Sequence, residues 1–305
     1  MLDERTLLFM LSVVPALMAL VAAGMRHGHA EMATGLGSWA LSLACFSFAS
    51  LVVAIWPVSS VDARIVLSNA GFAPAVTLYG FALLKFFGRP LRAWPWLVGA
   101  LALYVVSVAL SQAPWQSSWR IAIFSVYWLT MVALAGSALL RSGEWRQGVG
   151  GAVLLAALLL MAVAISVRLL LALGGSERVL LLAGGMSGFM ALFLAATVVG
   201  LVLGTLGLVL LASERVRRRL EYLARHDALT GLLTRGGFTA LSTQALASAR
   251  RQGAPVGFLV VDIDHFKAIN DGFGHQAGDE VLAAVARCLQ ATSREADLVS
   301  RFGGE

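Results

Sequence analysis

The chain has 305 residues, 59% of them hydrophobic and only 13% charged, with a formal net charge of +6 and two cysteines. A soluble globular chain carries about 25% charged residues, so this composition excludes an ordinary soluble protein and points to a membrane one. Cys45 and Cys288 fall in regions of different character, which gives no disulfide framework and leaves both as small buried hydrophobes.

Apolar runs fill the chain up to residue 212. In chain order they predict about seven spans, at 6–24, 36–56, 64–87, 94–112, 120–140, 149–173 and 186–212, each near the ~20 residues a bilayer core requires. The stretch from Val179 to Ala212 is too long for one simple span, and Gly184–Gly185 marks a break in it. Asp3 and Glu4 precede the first run and no small-residue cleavage site follows it, so it reads as a retained helix rather than a signal peptide.

Basic residues orient these spans. Arg26, then Lys85, Arg89 and Arg92, then Arg141 and Arg146, then Arg215, Arg217, Arg218 and Arg219 follow the odd-numbered spans. The other side carries Arg5, Arg64, Arg120 and Arg178, three of them beside Asp3, Asp62 and Glu177. The bias places the N-terminus outside, in a multi-pass inner (cytoplasmic) membrane protein, and the C-terminal part in the cytoplasm. Arginines beside apolar runs fit a bilayer surface and no nucleic acid. The span centres read as nearly free of charge, which speaks against a transporter or channel. Most of Trp94, Trp96, Trp115, Trp119 and Trp128 sit near predicted interfaces, as an aromatic belt would. His27 and His29 read as solvated loop residues rather than metal or haem ligands. The reading for residues 1–212 is an all-α membrane domain, an anchor with a sensory role.

Residues 213–226 continue the last span without Pro or Gly. Val216, Leu220 and Leu223 are spaced as the seam of a short parallel coiled coil, or of a plain amphipathic exit helix. From Asp227 the pattern becomes that of a soluble domain. "DALTGLLTR" is a turn and capping region, and a helix follows with Phe238, Leu241, Ala245 and Ala249 on one face. Gly253 and Pro255 end it. "VGFLVVDID" is expected to be a central buried strand. Asp262 and Asp264 at its end share a face, and hard oxygen donors of this kind suit Mg²⁺ and its phosphate ligands.

"HFKAIND" predicts a helical turn and "GFGHQAG" a glycine-broken loop. Lys267 can meet a phosphate as a point charge, and the Asn270 amide can both donate to and accept from a base edge. Asp279 opens a helix expected over 278–292, with Val281, Leu282, Val285, Cys288 and Leu289 inward. "DLVSRF" is a second strand, followed by Gly303, Gly304 and Glu305, where backbone can approach phosphates and a further carboxylate can hold a metal.

In order and spacing, "DALTGLLTR", "DIDHFKAINDGFGHQAGDEVL" and "RFGGE" make residues 227–305 resemble the GGDEF, or diguanylate cyclase, family. The resemblance implies an α+β nucleotide-cyclase-like domain, an antiparallel palm flanked by helices, incomplete here. It implies that Asp262 and Glu305 are catalytic metal ligands for Mg²⁺, with Mn²⁺ as an alternative, and that the Ile263 carbonyl joins them. It implies that Asn270 and Asp279 read guanine beside His275, and that the Phe266 backbone, Lys267, Gly303 and Gly304 meet phosphates. Two GTP, one on each protomer of a homodimer, would give cyclic di-GMP and two pyrophosphates. Arg294 and Asp297, an R-x-x-D pair before the glycines, resemble the family's inhibitory product site. Thr234 stands where the family more often has Asn, a change expected to be tolerated. The family signature continues past Glu305, so the chain reads as a fragment that should not itself catalyse. A GGDEF module that only binds GTP or cyclic di-GMP, as receptor or scaffold, is the alternative.

Overall fold

The computed structural model describes residues 4–28, 34–55, 61–89, 92–109, 117–174 and 186–303. His29, Trp115, Arg178, Gly184–Gly185, Gly304 and Glu305 lie outside the described residues. The chain divides into two compact units, Met1–Arg215 and Val216–Glu305.

The first unit is helical: α1 (Glu4–Gly28), α2 (Leu36–Ile55), α3 (Val61–Phe86), α4 (Ala93–Ala109), α5 (Ser117–Ser142), α6 (Val149–Leu173) and the start of α7 (Met186–Arg225). Six of these are long and apolar enough to cross a membrane, and α4 is a shorter apolar helix. They correspond to the seven expected spans. With no water in a bilayer core, a helix is how such runs satisfy their own backbone. The bundle centre holds Trp39, Phe46, Tyr79, Leu83, Met131 and Met161, all buried, while Leu20, Leu101, Val163 and Leu192 face outward.

Small residues set the closest approaches, as they do between membrane helices. A Cβ added at Gly207 would stand 2.7 Å from Leu154 N, and one at Gly204 would stand 3.2 Å from the Trp39 ring. Trp39 Nε1 donates to Thr205 Oγ1 at 3.0 Å, and Ser42 Oγ donates to the Ala75 carbonyl at 2.7 Å. Near the end of this unit Arg215 forks onto Glu144, with Nη2–Oε1 at 2.6 Å and Nε–Oε2 at 3.1 Å. Its Nη1 donates to the Phe86 carbonyl at 2.9 Å, and the guanidinium lies 4.0 Å from the Phe86 ring centroid.

One tryptophan stands apart from the expected belt. Trp128 is not interfacial: it is 3% exposed and packed among Phe46, Phe124 and Phe193. The aromatic ring outweighs its single N–H, so the bundle takes it in. Arg168 of α6 is half-buried and lies five residues before the helix end.

The second unit contains the end of α7, β1 (Leu233–Thr234), α8 (Arg235–Gln252), α9 (Phe266–Phe273), α10 (His275–Thr292) and β2 (Ser300–Arg301). Leu233 pairs with Ser300 and Thr234 with Arg301, in parallel. This corrects the expected antiparallel sheet: among the described residues an isolated antiparallel bridge joins His226 to Leu233. The expected central strand also changes. Residues 254–263 carry no regular structure, and Phe258, Leu259 and Val260 are 72%, 83% and 79% exposed. A strand apolar on both faces needs a ladder and a covering layer, and the described β1–β2 pair forms without it. Thr234 caps α8, accepting from Gly237 N at 3.1 Å, and its hydroxyl faces the Ala224 and Arg225 carbonyls at 3.1 and 3.3 Å. A Cβ at Gly237 would strike the Arg225 carbonyl, so glycine there permits this approach.

Candidate active site

The residues expected to meet a nucleotide sit on α9, α10 and the chain before them. His265 precedes α9 at φ 60°, in the left-handed region. A non-glycine residue pays roughly 1–2 kcal/mol there, and the sharp turn it makes brings Phe266 N to the Ile263 carbonyl at 3.3 Å. Phe266 is buried at the seam of α9 and α10. A Cβ at Gly278 would come within 3.3 Å of the Phe266 ring and would strike the Asn270 side chain. Glycine at 278 therefore lets Asn270 lie across α10, one residue before Asp279.

The glycine-broken loop is shorter than expected. α9 runs on through Gly272, Gly274 alone breaks the chain at φ 85°, and α10 starts at His275. The reason is local: Gly274 N donates to the Asn270 carbonyl at 2.9 Å, which closes α9 and lets α10 begin at once. His275 is thus the first residue of α10, and Asp279 stands one turn in rather than at its start.

The structure thus brings Phe266, Asn270 and the backbone beside Asp279 to one seam. Asp262, Lys267, His275 and Asp279 are exposed, while Ile263 and Asn270 are half-buried. Gly303 is exposed, and its carbonyl accepts from Arg301 Nε at 3.0 Å. Arg294 and Asp297 close an exposed turn: Arg294 N donates to Asp297 Oδ2 at 2.9 Å and Asp297 N to the Arg294 carbonyl at 3.0 Å. Among the described residues no three His, Cys, Asp or Glu side chains converge as a metal site.

Two residues that the sequence did not single out tie the motifs together. Asp227 Oδ1 accepts from Thr230 N at 2.9 Å, Thr230 Oγ1 at 2.7 Å and Arg301 Nη1 at 3.2 Å. Burial pushes the Asp227 carboxyl up, but the Thr230 hydrogen bonds and the Arg301 guanidinium outweigh it and hold it below the usual carboxylate range. "DALTGLLTR" is thereby bound to "RFGGE". Only the presence of an acid in one motif and an arginine in the other could have hinted at this, since the pair spans 74 positions.

The family described as "Diguanylate cyclase, GGDEF domain" matches residues 224–305. The chain carries a GGDEF domain. This stretch is 44% identical over 92 residues to Diguanylate cyclase DgcM of Escherichia coli (strain K12), covering 30% of this chain and 22% of that protein. It is 48% identical over 79 residues to Diguanylate cyclase DgcP of Pseudomonas aeruginosa, covering 26% and 12%. It is also 37% identical over 92 residues to Cyclic di-GMP phosphodiesterase NbdA of the same organism, covering 30% and 12%. The chain therefore spans less than a quarter of the length of each of these relatives. No solved structure gives a significant match.

The donors that the GGDEF domain offers before α9 fit a hard divalent cation in kind. The Asp262 carboxylate is exposed, and the neighbouring Ile263 carbonyl spends one lone pair on a long bond from Phe266 N. Oxygen donors of this sort, completed by phosphates and water, are what Mg²⁺ takes.

Proposed function

We propose that the complete protein is a membrane-bound diguanylate cyclase that condenses two GTP into cyclic di-GMP and two pyrophosphates. The observation that carries this reading is the GGDEF match over 224–305, together with Asp262, Asn270, Asp279 and Gly303 in their motif positions. In this reading Asp262, the Ile263 carbonyl and Glu305 hold Mg²⁺, with Mn²⁺ as an alternative. The bound ion would supply charge neutralisation at the triphosphate. Lys267 and the Phe266 backbone hold phosphate oxygens from the first turn of α9, and Gly303 and Gly304 leave room for them. Asn270 offers an amide and Asp279 a carboxylate to complementary edges of guanine, with His275 beside them. One GTP per protomer requires two domains face to face, hence a homodimer.

Three parts serve this activity: a sensory membrane domain at 1–212, a connecting helix at 213–226 and the GGDEF domain from 227. The N-terminus lies outside the inner membrane and the GGDEF domain in the cytoplasm. The likeness to NbdA, named as a phosphodiesterase, favours one further reading: a GGDEF module that binds GTP or cyclic di-GMP without turnover. The two readings part in one experiment. Full-length protein in detergent, given Mg²⁺ and GTP, should form cyclic di-GMP, and Asp262→Ala should abolish formation. Nucleotide binding without product from the wild type would select the receptor reading.

A further inference from the structure

Gly272, Gly274 and Gly278 punctuate α9 and α10, and they differ in what they require. Gly274 takes φ 85°, a backbone conformation that L side chains rarely adopt. A Cβ added at Gly272 would meet nothing within 4 Å. Gly278 is buried inside α10 and has no positive φ. Alanine is the better residue in a helix interior, so neither the backbone nor helix propensity asks for glycine at 278. What the position requires is space. A Cβ there would strike Asn270 Oδ1, and would stand 2.9 Å from Asn270 Cγ and 3.3 Å from Phe266 Cζ.

Asn270 begins the last turn of α9, and its side chain is half-buried. Its backbone carbonyl accepts from Gly274 N at 2.9 Å, which fixes where the side chain starts. Among the described residues its amide makes no hydrogen bond, and neither does the exposed Asp279 carboxylate one residue beyond Gly278. An amide laid against a helix backbone with its donor and acceptor unspent is preorganised for a ligand. A methyl group at 278 would not unfold this seam. The Phe266 ring can give by a few tenths of an ångström, and the Asn270 side chain can rotate away. What would be lost is the place of the amide.

We propose that Gly278 is a positioning residue for base selection: by carrying no Cβ it holds the Asn270 amide in place, and so sets a preference for guanine over adenine. This rests on the reading of Asn270 and Asp279 as the pair that faces guanine. Guanine mixes ring and amino donors with carbonyl and ring-nitrogen acceptors, whereas adenine carries an amino donor where guanine has its carbonyl. A carboxylate only accepts, so it can serve only the donors of the base. The amide supplies the donor that an acceptor needs. With the amide displaced, that acceptor loses its partner, while the ribose and phosphates, which the two nucleotides share, keep theirs.

The test is equilibrium binding of 3′-deoxy-GTP and 3′-deoxy-ATP, with Mg²⁺, to the complete protein in detergent. Without a 3′-hydroxyl neither can be joined 3′ to 5′, so affinity is read without turnover. Gly278→Ala should weaken 3′-deoxy-GTP about tenfold, the loss of one good hydrogen bond, and leave 3′-deoxy-ATP within about twofold. Gly272→Ala, where a Cβ meets open space, should bind both as wild type does. In an Asn270→Ala background no amide remains to be displaced, so Gly278→Ala should cost nothing further. Should Gly278→Ala fail to fold, Phe266→Leu/Gly278→Ala, which makes room at the ring but not at the amide, carries the same expectation against Phe266→Leu alone. The proposal is overturned if the folded variant keeps the wild-type preference, if both nucleotides weaken alike, or if the loss recurs in full without Asn270. Equal binding of the two nucleotides by the wild type would overturn the guanine reading and the proposal with it, a result distinct from the other three.

Discussion

Asp227 accepts hydrogen bonds from Thr230 and from Arg301, so its charge counts for most when both motifs are in place. Its carboxyl is held below the usual range in the folded chain. Its stabilising effect is therefore full above the unfolded value, about pH 3.9, and fades as pH falls through the lower folded value. Asp227→Asn should cost about 1 kcal/mol at neutral pH, the low end for a charged hydrogen bond that water still reaches. Thermal melts of the two proteins should converge as the buffer is taken below about pH 4, and a gap that widens toward acid would contradict this account. Arg294 and Asp297 belong to the same scale. Their backbone and carboxylate already shape an exposed turn, which leaves the Arg294 guanidinium to fork onto a guanine or phosphate. If they bind product, Arg294→Ala in the complete protein should keep the proposed initial rate of cyclic di-GMP formation and lose product inhibition. Identical progress curves for mutant and wild type would remove that role.

Helix ends carry the argument at the next scale. α7 is joined to α3 and to the 3₁₀ turn Glu144–Arg146 by one side chain, Arg215. Glu214 beside it accepts from Gly150 N at 3.2 Å, where α6 begins. Arg215 and Glu144 are only 24% and 18% exposed, so breaking the pair leaves a partly buried carboxylate without its cation. Arg215→Ala should destabilise the detergent-solubilised protein by about 2–3 kcal/mol. Arg215→Lys should recover only part of that, because an ammonium cannot reproduce the two-pronged contact. Equal melting temperatures for wild type and Arg215→Ala would show the clasp to be idle. Downstream on α7, Leu220 and Leu223 are 61% and 50% exposed, as a seam awaiting a second protomer would be.

For the whole molecule the open quantity is orientation. Lys85, Arg89 and Arg92 lie at one end of the bundle, and α5 begins at the other. Reporter fusions after Arg89 and after Ser117 should therefore report opposite compartments, with Arg89 cytoplasmic. The same compartment from both would break the alternating arrangement and with it the cytoplasmic placement of the GGDEF domain.

The helices of the membrane unit were legible because a run of about 20 apolar residues has one way to satisfy its backbone in a bilayer. The GGDEF motifs were legible because glycines, acids and an amide at set spacings are local properties of a chain. Tertiary structure decided the rest. It took Trp128 inward, put Arg168 beside Phe193 and joined Asp227 to Arg301, all contacts between residues far apart in sequence. It also left residues 254–263 unpaired, although their composition reads as a buried strand. Composition states what a segment prefers to bury, whereas a strand exists only where another segment supplies its hydrogen-bond partners.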